Sequence, residues 1–259
     1  MTTPSFVGAG TPITVGPGPQ VPATFTVTTA DLPAGVAAGD LLFVLVLIGG
    51  NGVPLGPYTS ADLDAAGYEF AGVYNAPTRQ AIILCWAGFY DAADFPADIT
   101  LVSGAGSFPS TARVETVAYR SVESVPPLTG QTYDTAGTSF SNYLPDPNTQ
   151  GALAGSETDG LVVQFTYESA LPDSGTTDVD DGFDVGTVYD AEGFTERHRQ
   201  ARILDFGGGF VVADNSSDLS STKQFATYNT VNFGHNGVCM QIGLDGKATS
   251  GWGVNTINW

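Results

Sequence analysis

The sequence has few basic residues. Of its 259 residues, 8 are Lys or Arg and 27 are Asp or Glu, so the net charge at pH 7 is −19. A surface this acidic repels phosphate backbones and anionic lipid headgroups. The charge balance therefore argues against partnership with nucleic acid or with an anionic membrane.

The sequence also lacks an apolar run long enough to cross a bilayer as a helix. The run from Leu41 to Ile48 has eight residues, whereas a membrane-spanning helix needs about 20. The first residues, MTTPSFVGAGTP, contain no basic residue and no apolar stretch, which is not the pattern of a signal peptide. We therefore expect a protein that is made in a cytoplasm and is not inserted in a membrane.

Cysteine and histidine are scarce, with two residues of each type. Cys85 and Cys239 lie in apolar, strand-like segments. We expect two buried free thiols, with a disulfide as the alternative if their strands are neighbours. His198 lies in a charged segment that alternates like an exposed edge, and His235 lies in a turn-like FGHNG segment. Neither has the spacing of a zinc site.

Motifs that carry catalysis or bind cofactors are missing as well. The chain has no nucleophile elbow, no phosphate-binding loop and no dinucleotide-binding fingerprint after a strand. The prediction is a protein that is not an enzyme and has no cofactor, apart from a calcium ion that an acidic loop could hold.

The most informative feature present is the run Leu41–Ile48 itself. It is rich in branched and aromatic residues, follows Gly39-Asp40 and ends at the turn formers Gly49-Gly50-Asn51-Gly52. This is the pattern of a strand buried on both faces. We therefore predict one layer of structure above this strand and another below it.

Strand-like segments recur along the chain, mostly separated by clusters of Gly, Pro, Asn, Asp or Ser. They are Thr11–Val15, Pro22–Val27, Leu41–Ile48, Tyr68–Tyr74, Ala81–Tyr90, Ile99–Val102, Ala112–Arg120, Gly160–Glu168, Phe183–Tyr189, Gln200–Phe206, Gly209–Ala213, Lys223–Thr230 and Gly237–Leu244. The best helical segment, Ala61–Ala66, is barely one turn.

The alternation of several of these strands predicts antiparallel sheets with one packed face and one wet face. The predicted fold class is all-β, an antiparallel β-sandwich or jelly roll with long loops. We predict a single sandwich domain over residues 1–246 with a loop-rich insertion at about 121–158, where four prolines fall. Residues 247–259 read as an extension whose Trp252 and Trp259 dock on the protein itself or on a neighbour.

An acidic stretch follows the middle of the chain. Asp178, Asp180 and Asp184 could hold a calcium ion. The site would not be an EF-hand, because Gly182 and Tyr189 occupy the fifth and twelfth positions of a loop that begins at Asp178, where that motif needs oxygen ligands. The alternative is a solvated acidic loop without metal.

Three of the eight basic residues lie close together at Arg197, Arg199 and Arg202. Arg197 and Arg199 are expected to share a strand face. They could meet an acidic patch on another copy of the chain, which predicts a homo-oligomer. Equally, they could pair within the chain with the acidic segment 173–184.

Two further hypotheses concern carbohydrates. Glu115 and Glu168 could form the carboxylate pair of a glycoside hydrolase if their strands are adjacent, although a charge on the wet face of a sheet is the simpler interpretation. Trp86 and Tyr119 could form a sugar-binding platform, or they could fill the core.

The segment from the amino terminus to about residue 122 carries a set of short motifs. They are Phe6–Thr11, Leu32-Pro33-Ala34-Gly35, Gly39-Asp40-Leu41-Leu42, Ile83–Tyr90 and Val117–Val122, the last containing Tyr119-Arg120. This arrangement resembles a jelly-roll family of virion structural proteins common in tailed bacteriophages. A glycine-tryptophan pair that the family usually shows is replaced here by Gly67-Tyr68.

The resemblance implies a component of a virion, most readily a capsid decoration, a head fibre or a minor capsid component assembled as a homo-oligomer. Its partners would be other virion proteins, either major capsid or tail proteins, and no catalytic residues are implied. The alternatives are a tail-associated module that binds a receptor or a glycan and, less favoured, a glycoside hydrolase.

Overall fold

The computed structural model describes residues 2–15, 23–49, 58–74, 81–103, 111–126, 132–135, 160–170, 195–200, 209–215 and 235–247. The strands are β1 (Ser5–Ala9), β2 (Ile13–Val15), β3 (Ala23–Thr26), β4 (Leu41–Gly49), β5 (Tyr58–Thr59), β6 (Glu69–Tyr74), β7 (Ala81–Phe89), β8 (Asp98–Ser103), β9 (Thr111–Arg120), β10 (Thr132–Thr135), β11 (Leu161–Ala170), β12 (Thr195–Gln200), β13 (Gly209–Asn215) and β14 (His235–Leu244). One short helix, α1 (Ala61–Ala65), lies between β5 and β6.

These strands form three sheets. The central sheet has the order β1-β9-β4-β7-β6, and β2 also pairs with β9. The outer sheet has the order β10-β14-β11-β13-β12, and the small sheet has the order β3-β8-β5. The strand pairings within the described residues are antiparallel. The predicted fold class, an all-β antiparallel sandwich, is therefore confirmed.

The central and outer sheets repeat one connectivity. In each sheet the first long strand, β4 or β11, lies in the middle. On one side of the middle strand lies β7 or β13, and beyond it β6 or β12 forms the edge of the described sheet. The last long strand, β9 or β14, pairs on the other side, and β1 or β10 flanks it. The protein thus stacks two sheets of the same topology face to face.

Strand β4 lies in the interior of the whole molecule. Its odd-numbered residues, such as Phe43 and Leu45, belong to the core between the central and outer sheets. Its even-numbered residues, such as Leu42 and Val44, belong to a second core between the central sheet, the small sheet and α1. Because residues of a strand alternate between faces, an unbroken apolar run serves two cores at once. The prediction of a layer on each side of Leu41–Ile48 is correct.

A run of aromatic rings crosses the first core. The ring of Phe6 contacts Tyr119, Tyr119 contacts Phe43, and Phe43 meets Phe165 of the outer sheet with ring centroids 5.0 Å apart. Phe165 then stacks on Phe210. Edge-to-face pairs of this kind stabilise beyond the area that they bury. They fix how the outer sheet lies on the central sheet.

The expectation of one wet face is wrong for two strands of the central sheet. On β7, Ile83 and Cys85 face the first core while Leu84 and Trp86 face the second. On β9 the side chains of residues 112 to 119 are all buried. The small sheet and α1 cover one face of these strands, and the outer sheet covers the other, which on β9 includes the Arg113 and Glu115 side chains that were expected to be wet.

Element boundaries agree with the sequence for most strands and differ at a few places. The predicted turn at His235 is instead the start of β14, where His235 pairs with Ala170. A four-residue strand, β10, lies within the segment predicted to be loop-rich, and β12 covers residues expected only to alternate at an edge. The predicted strands Phe183–Tyr189 and Lys223–Thr230 lie outside the described residues.

Gly10 occupies a site where a side chain does not fit. Its amide donates to the Thr116 carbonyl at 2.8 Å, and a Cβ built on it overlaps the Asp31 carbonyl oxygen and the Thr116 hydroxyl. We expect Gly10→Ala to lower the free energy of unfolding by about 1–3 kcal/mol, as overpacking does. The matched control is Gly8→Ala, whose added Cβ would have Pro33 as its nearest neighbour at 3.5 Å. Urea unfolding of both variants checks this, and equal stabilities would contradict it.

Candidate functional site

Polar and charged side chains meet in the interior between the central and outer sheets. We call this group the buried polar seam. It consists of Arg113, Glu115 and Tyr119 of β9, Arg197 and His198 of β12, and Asp214 of β13.

Strand β9 supplies the central-sheet half of the seam. Arg113 and Glu115 share a strand face with Val117 and Tyr119, which belong to the first core. Both charged residues are buried, and Glu115 has no exposed surface. The Arg113 Nε lies 2.8 Å from Glu115 Oε1, an ion contact rather than an aligned hydrogen bond. A buried carboxylate needs such a counter-charge, because its desolvation is costly.

Strand β12 supplies the other half through an irregularity in its pairing. Its register with β13 shifts between Glu196 and His198. An extra residue of this kind disturbs the alternation of side chains and re-aims them. As a result the consecutive residues Arg197 and His198 both turn towards buried carboxylates, although the Arg197 side chain stays 38% exposed. Arg197 contacts Asp214, and His198 Nε2 lies 3.8 Å from Glu115 Oε2.

Asp214 joins the two sheets by hydrogen bonds. The Arg197 Nε donates to Asp214 Oδ2 at 2.8 Å, and the Tyr119 hydroxyl donates to the same oxygen at 3.4 Å. Burial raises the pKa of Asp214, and the hydrogen bonds from Arg197 and Tyr119 and the charge of Arg197 only partly offset it. The pKa of Arg197 is raised, chiefly because Asp214 accepts its hydrogen bond. The attraction thus favours charge on the partly exposed guanidinium, while the carboxylate bears the desolvation cost.

The geometry of the seam suits it for holding layers together. Glu115 is fully buried and Asp214 nearly so, and their contacts run between β9 of one sheet and β12 and β13 of the other. Among the strands that the structure describes, β12 is the edge of the outer sheet. The seam therefore fastens this edge to the central sheet.

A second polar arrangement, the turn clasp, lies at the start of β4 and consists of Gly35, Ala37, Asp40 and Arg120. Arg120 donates to both carboxylate oxygens of Asp40, from Nε at 2.8 Å and from Nη2 at 2.7 Å. Its Nη2 also donates to the Gly35 carbonyl at 3.0 Å, and the Ala37 amide donates to Asp40 at 2.8 Å. Gly35 has φ 86°, a conformation that glycine adopts readily. The Leu-Pro-x-Gly, Gly-Asp-Leu-Leu and Tyr-Arg motifs contribute Gly35, Asp40 and Arg120 respectively, so one residue of each motif meets in this contact.

The turn clasp predicts a pH-dependent stability. Burial raises the pKa of Asp40, but the hydrogen bonds from Arg120 and Ala37 and the charge of Arg120 together lower it below its ordinary value. A lowered pKa in the folded chain stabilises it above about pH 4, and this contribution is lost as the pH falls through the folded value. We expect Asp40→Asn to lower the melting temperature by about 2–4 °C at neutral pH, and the difference to shrink in acid. Thermal melts between neutral and acidic pH measure it, with the exposed Asp94→Asn as control. A constant difference at every pH would contradict this.

The predicted interface arginines have partners within the chain. Arg197 binds Asp214, and Arg199 pairs with Glu196 at 2.7 Å. The two arginines do not share a face, because the irregularity at residue 197 turns Arg197 inward while Arg199 pairs in register with Val211. These partners differ from the acidic segment 173–184 considered as the internal alternative. Contact with a second copy of the chain remains a prediction.

Several predicted site residues cannot be placed. Asp178, Asp180 and Asp184 of the calcium hypothesis lie outside the described residues, as do Arg202, Trp252 and Trp259 of the interface hypothesis. Within the described part of the chain, no group of three or more His, Cys, Asp or Glu residues is arranged to hold a metal ion.

The residues proposed for carbohydrate chemistry are not placed for it. Glu115 belongs to β9 of the central sheet and Glu168 to β11 of the outer sheet, so their strands are not adjacent. Glu115 is in the interior and not on a wet face. Trp86 and Tyr119 are fully buried, so neither can stack on a sugar. The core interpretation of these two aromatic residues is correct.

Cys85 is a buried free thiol. Burial raises its pKa well above the ordinary value, which makes it a poor nucleophile. It is not in a disulfide, so the alternative of a bridge to Cys239 does not hold. Among the helices that the structure describes, none has the length and apolar character needed to span a membrane.

The seam itself was not predicted, although the sequence contains a signal for it. Arg113 and Glu115 alternate in step with Tyr119, and Asp214 alternates in step with Phe210 and Val212. Charged residues in phase with core positions indicate an internal ion pair.

No protein-family model, no curated protein and no solved structure matches this chain.

Proposed function

We propose that this chain is a structural component of a bacteriophage particle, a capsid decoration or a head-fibre or minor capsid protein that assembles with copies of itself and with other virion proteins. The proposal begins from the resemblance of its first half to a family of virion structural proteins. In this chain the residues that carry the resemblance build the turn clasp and the strand β4.

The observation that carries the proposal is the structural role of the motif residues. Asp40 and Arg120 are joined to each other and to the turn at Gly35, and Leu41 and Leu42 are fully buried in the two cores. Motif residues that fix a turn and fill two cores favour a role in which mechanical integrity is the function. This supports a building block more than an active centre.

Mass spectrometry of purified phage particles tests the proposal. Particles from a culture that produces this chain should contain it at a copy number that stays constant from one preparation to the next, after density-gradient purification and a salt wash. Its absence from particles, with the chain free in the lysate, would contradict the proposal. The copy number relative to the major capsid protein would also separate a surface decoration from a minor component.

Binding of a glycan or receptor is the competing function and has its own measurement. A glycan array probed with the intact protein, with and without a calcium chelator, should show no bound glycan if the chain only builds the particle. Binding that the chelator abolishes would favour the tail-associated alternative and would implicate the acidic segment at 173–184.

A further inference from the structure

The carboxylate of Glu115 has an incomplete set of partners. It is fully buried, and neither of its oxygens accepts a hydrogen bond from the residues that the structure describes. Arg113 Nε contacts Oε1 at 2.8 Å, whereas His198 Nε2 lies 3.8 Å from Oε2. Each oxygen therefore faces a different nitrogen. A buried carboxylate oxygen without a hydrogen bond is unfavourable.

His198 is placed to respond to solvent. Its side chain is 20% exposed, so it can exchange protons with water, while its Nε2 atom is buried and makes no hydrogen bond within the described structure. The imidazole also lies beside the ring of Phe210, which limits where it can turn. Histidine gains or loses a proton between about pH 5 and pH 8.

We propose that His198 and Glu115 form a proton-operated latch that fastens the edge strand β12 to β9. With a neutral imidazole the contact at 3.8 Å is loose. Protonation adds a positive charge that draws the imidazole and the carboxylate into a charge-assisted hydrogen bond, which is about twice as strong as a neutral one. The proton comes from solvent and no other bond changes.

The other charges around the latch are already engaged. Arg113 contacts the far oxygen of Glu115. Arg197 is bound to Asp214, Arg199 to Glu196, and the Tyr119 hydroxyl donates to Asp214. Strand β1, which packs near β12, contributes no titratable side chain. Among the residues that the structure describes, the charge left to meet an imidazolium is therefore that of Glu115 at Oε2.

The direction of the pH effect follows. Protonated His198 gains an attraction in the folded chain that the unfolded chain lacks. Its contribution to stability is present in mild acid and is lost as the pH rises through neutrality. Stability differences between the wild type and a variant without the imidazole should follow the same course.

The experiment is a double-mutant cycle at about pH 8 and about pH 5.5. Urea unfolding is measured for the intact chain, His198→Gln, Glu115→Gln and the double variant. The coupling between the two positions is expected to be about tenfold larger, as an equilibrium constant, at the lower pH. His235→Gln serves as the control, because it removes the chain's other histidine and should leave that pH dependence intact.

Coupling that is equal at both pH values, or that weakens in acid, would overturn the proposal, because a purely structural contact does not depend on the proton. If Glu115→Gln fails to fold, the comparison of wild type with His198→Gln decides alone. The wild type must then gain about tenfold over this variant between the two pH values, and a constant ratio would overturn the latch.

Discussion

Leu42→Ala and Leu45→Ala should each lower the free energy of unfolding by about 2–5 kcal/mol, the range for deleting a buried leucine side chain. The two residues lie three positions apart on one strand but belong to different cores. In a strand with one wet face, one of the two substitutions would cost little. Similar losses at both positions are expected because β4 is covered on both sides. Chemical denaturation with two spectroscopic probes measures them.

The matched control for this pair is Val102→Ala. Val102 lies on β8 and is 45% exposed, so its truncation should change stability by less than about 0.5 kcal/mol. A result in which Leu42→Ala behaves like this control would mean that the small sheet does not cover the central sheet. If Leu45→Ala behaves like the control, the outer sheet does not cover the central sheet.

Arg113→Met should be the most damaging change in the buried polar seam. It leaves Glu115 fully buried without its closest cation, and breaking a buried ion pair in this way costs about 3–5 kcal/mol. The measurement is the free energy of unfolding at about pH 8, where histidine is mostly neutral and cannot replace the lost charge.

The compensating variant is Arg113→Met combined with Glu115→Leu. Replacing both members of a buried pair by apolar residues of similar size is often neutral or stabilising, so the double variant should recover most of the stability lost in the single one. A single variant that unfolds like the wild type would show that the carboxylate is not desolvated. A double variant no better than the single one would show that Arg113 acts through its other contacts.

The sequence predicts the middle layer well, because its central run is short, apolar at every position and bounded by turn formers. The branched and aromatic residues of Leu41–Ile48 favour a strand with two dry faces. Helix α1 begins where Ser60 caps it by accepting a bond from the Leu63 amide. The alternation of β7 and β9 is also visible in the sequence. The sequence does not show what covers the second face of these strands, because the small sheet is built from short segments far apart in the chain.

The seam depends on facts that a pattern does not contain. Glu115 was expected on a wet face because charged residues are rarely buried without partners. Its partners come from β9 itself and from β12, more than eighty positions further along the chain. The irregularity at Arg197 is equally invisible, since strict alternation would place Arg197 and His198 on opposite faces. The sequence shows the Gly-Asp-Leu-Leu motif but not what the motif does. Its Asp40 binds Arg120, which lies on a neighbouring strand.

Native-state hydrogen exchange of the intact chain tests most directly whether β4 is the innermost strand. If both cores exist as described, the amides of Leu41 to Ile48 exchange only when the whole protein unfolds, with an opening free energy equal to the global value. The amides of the edge strand β12 exchange earlier, through local opening. Exchange of the β4 amides at the rate of this edge strand, or through an opening much smaller than global unfolding, would contradict the three-layer structure.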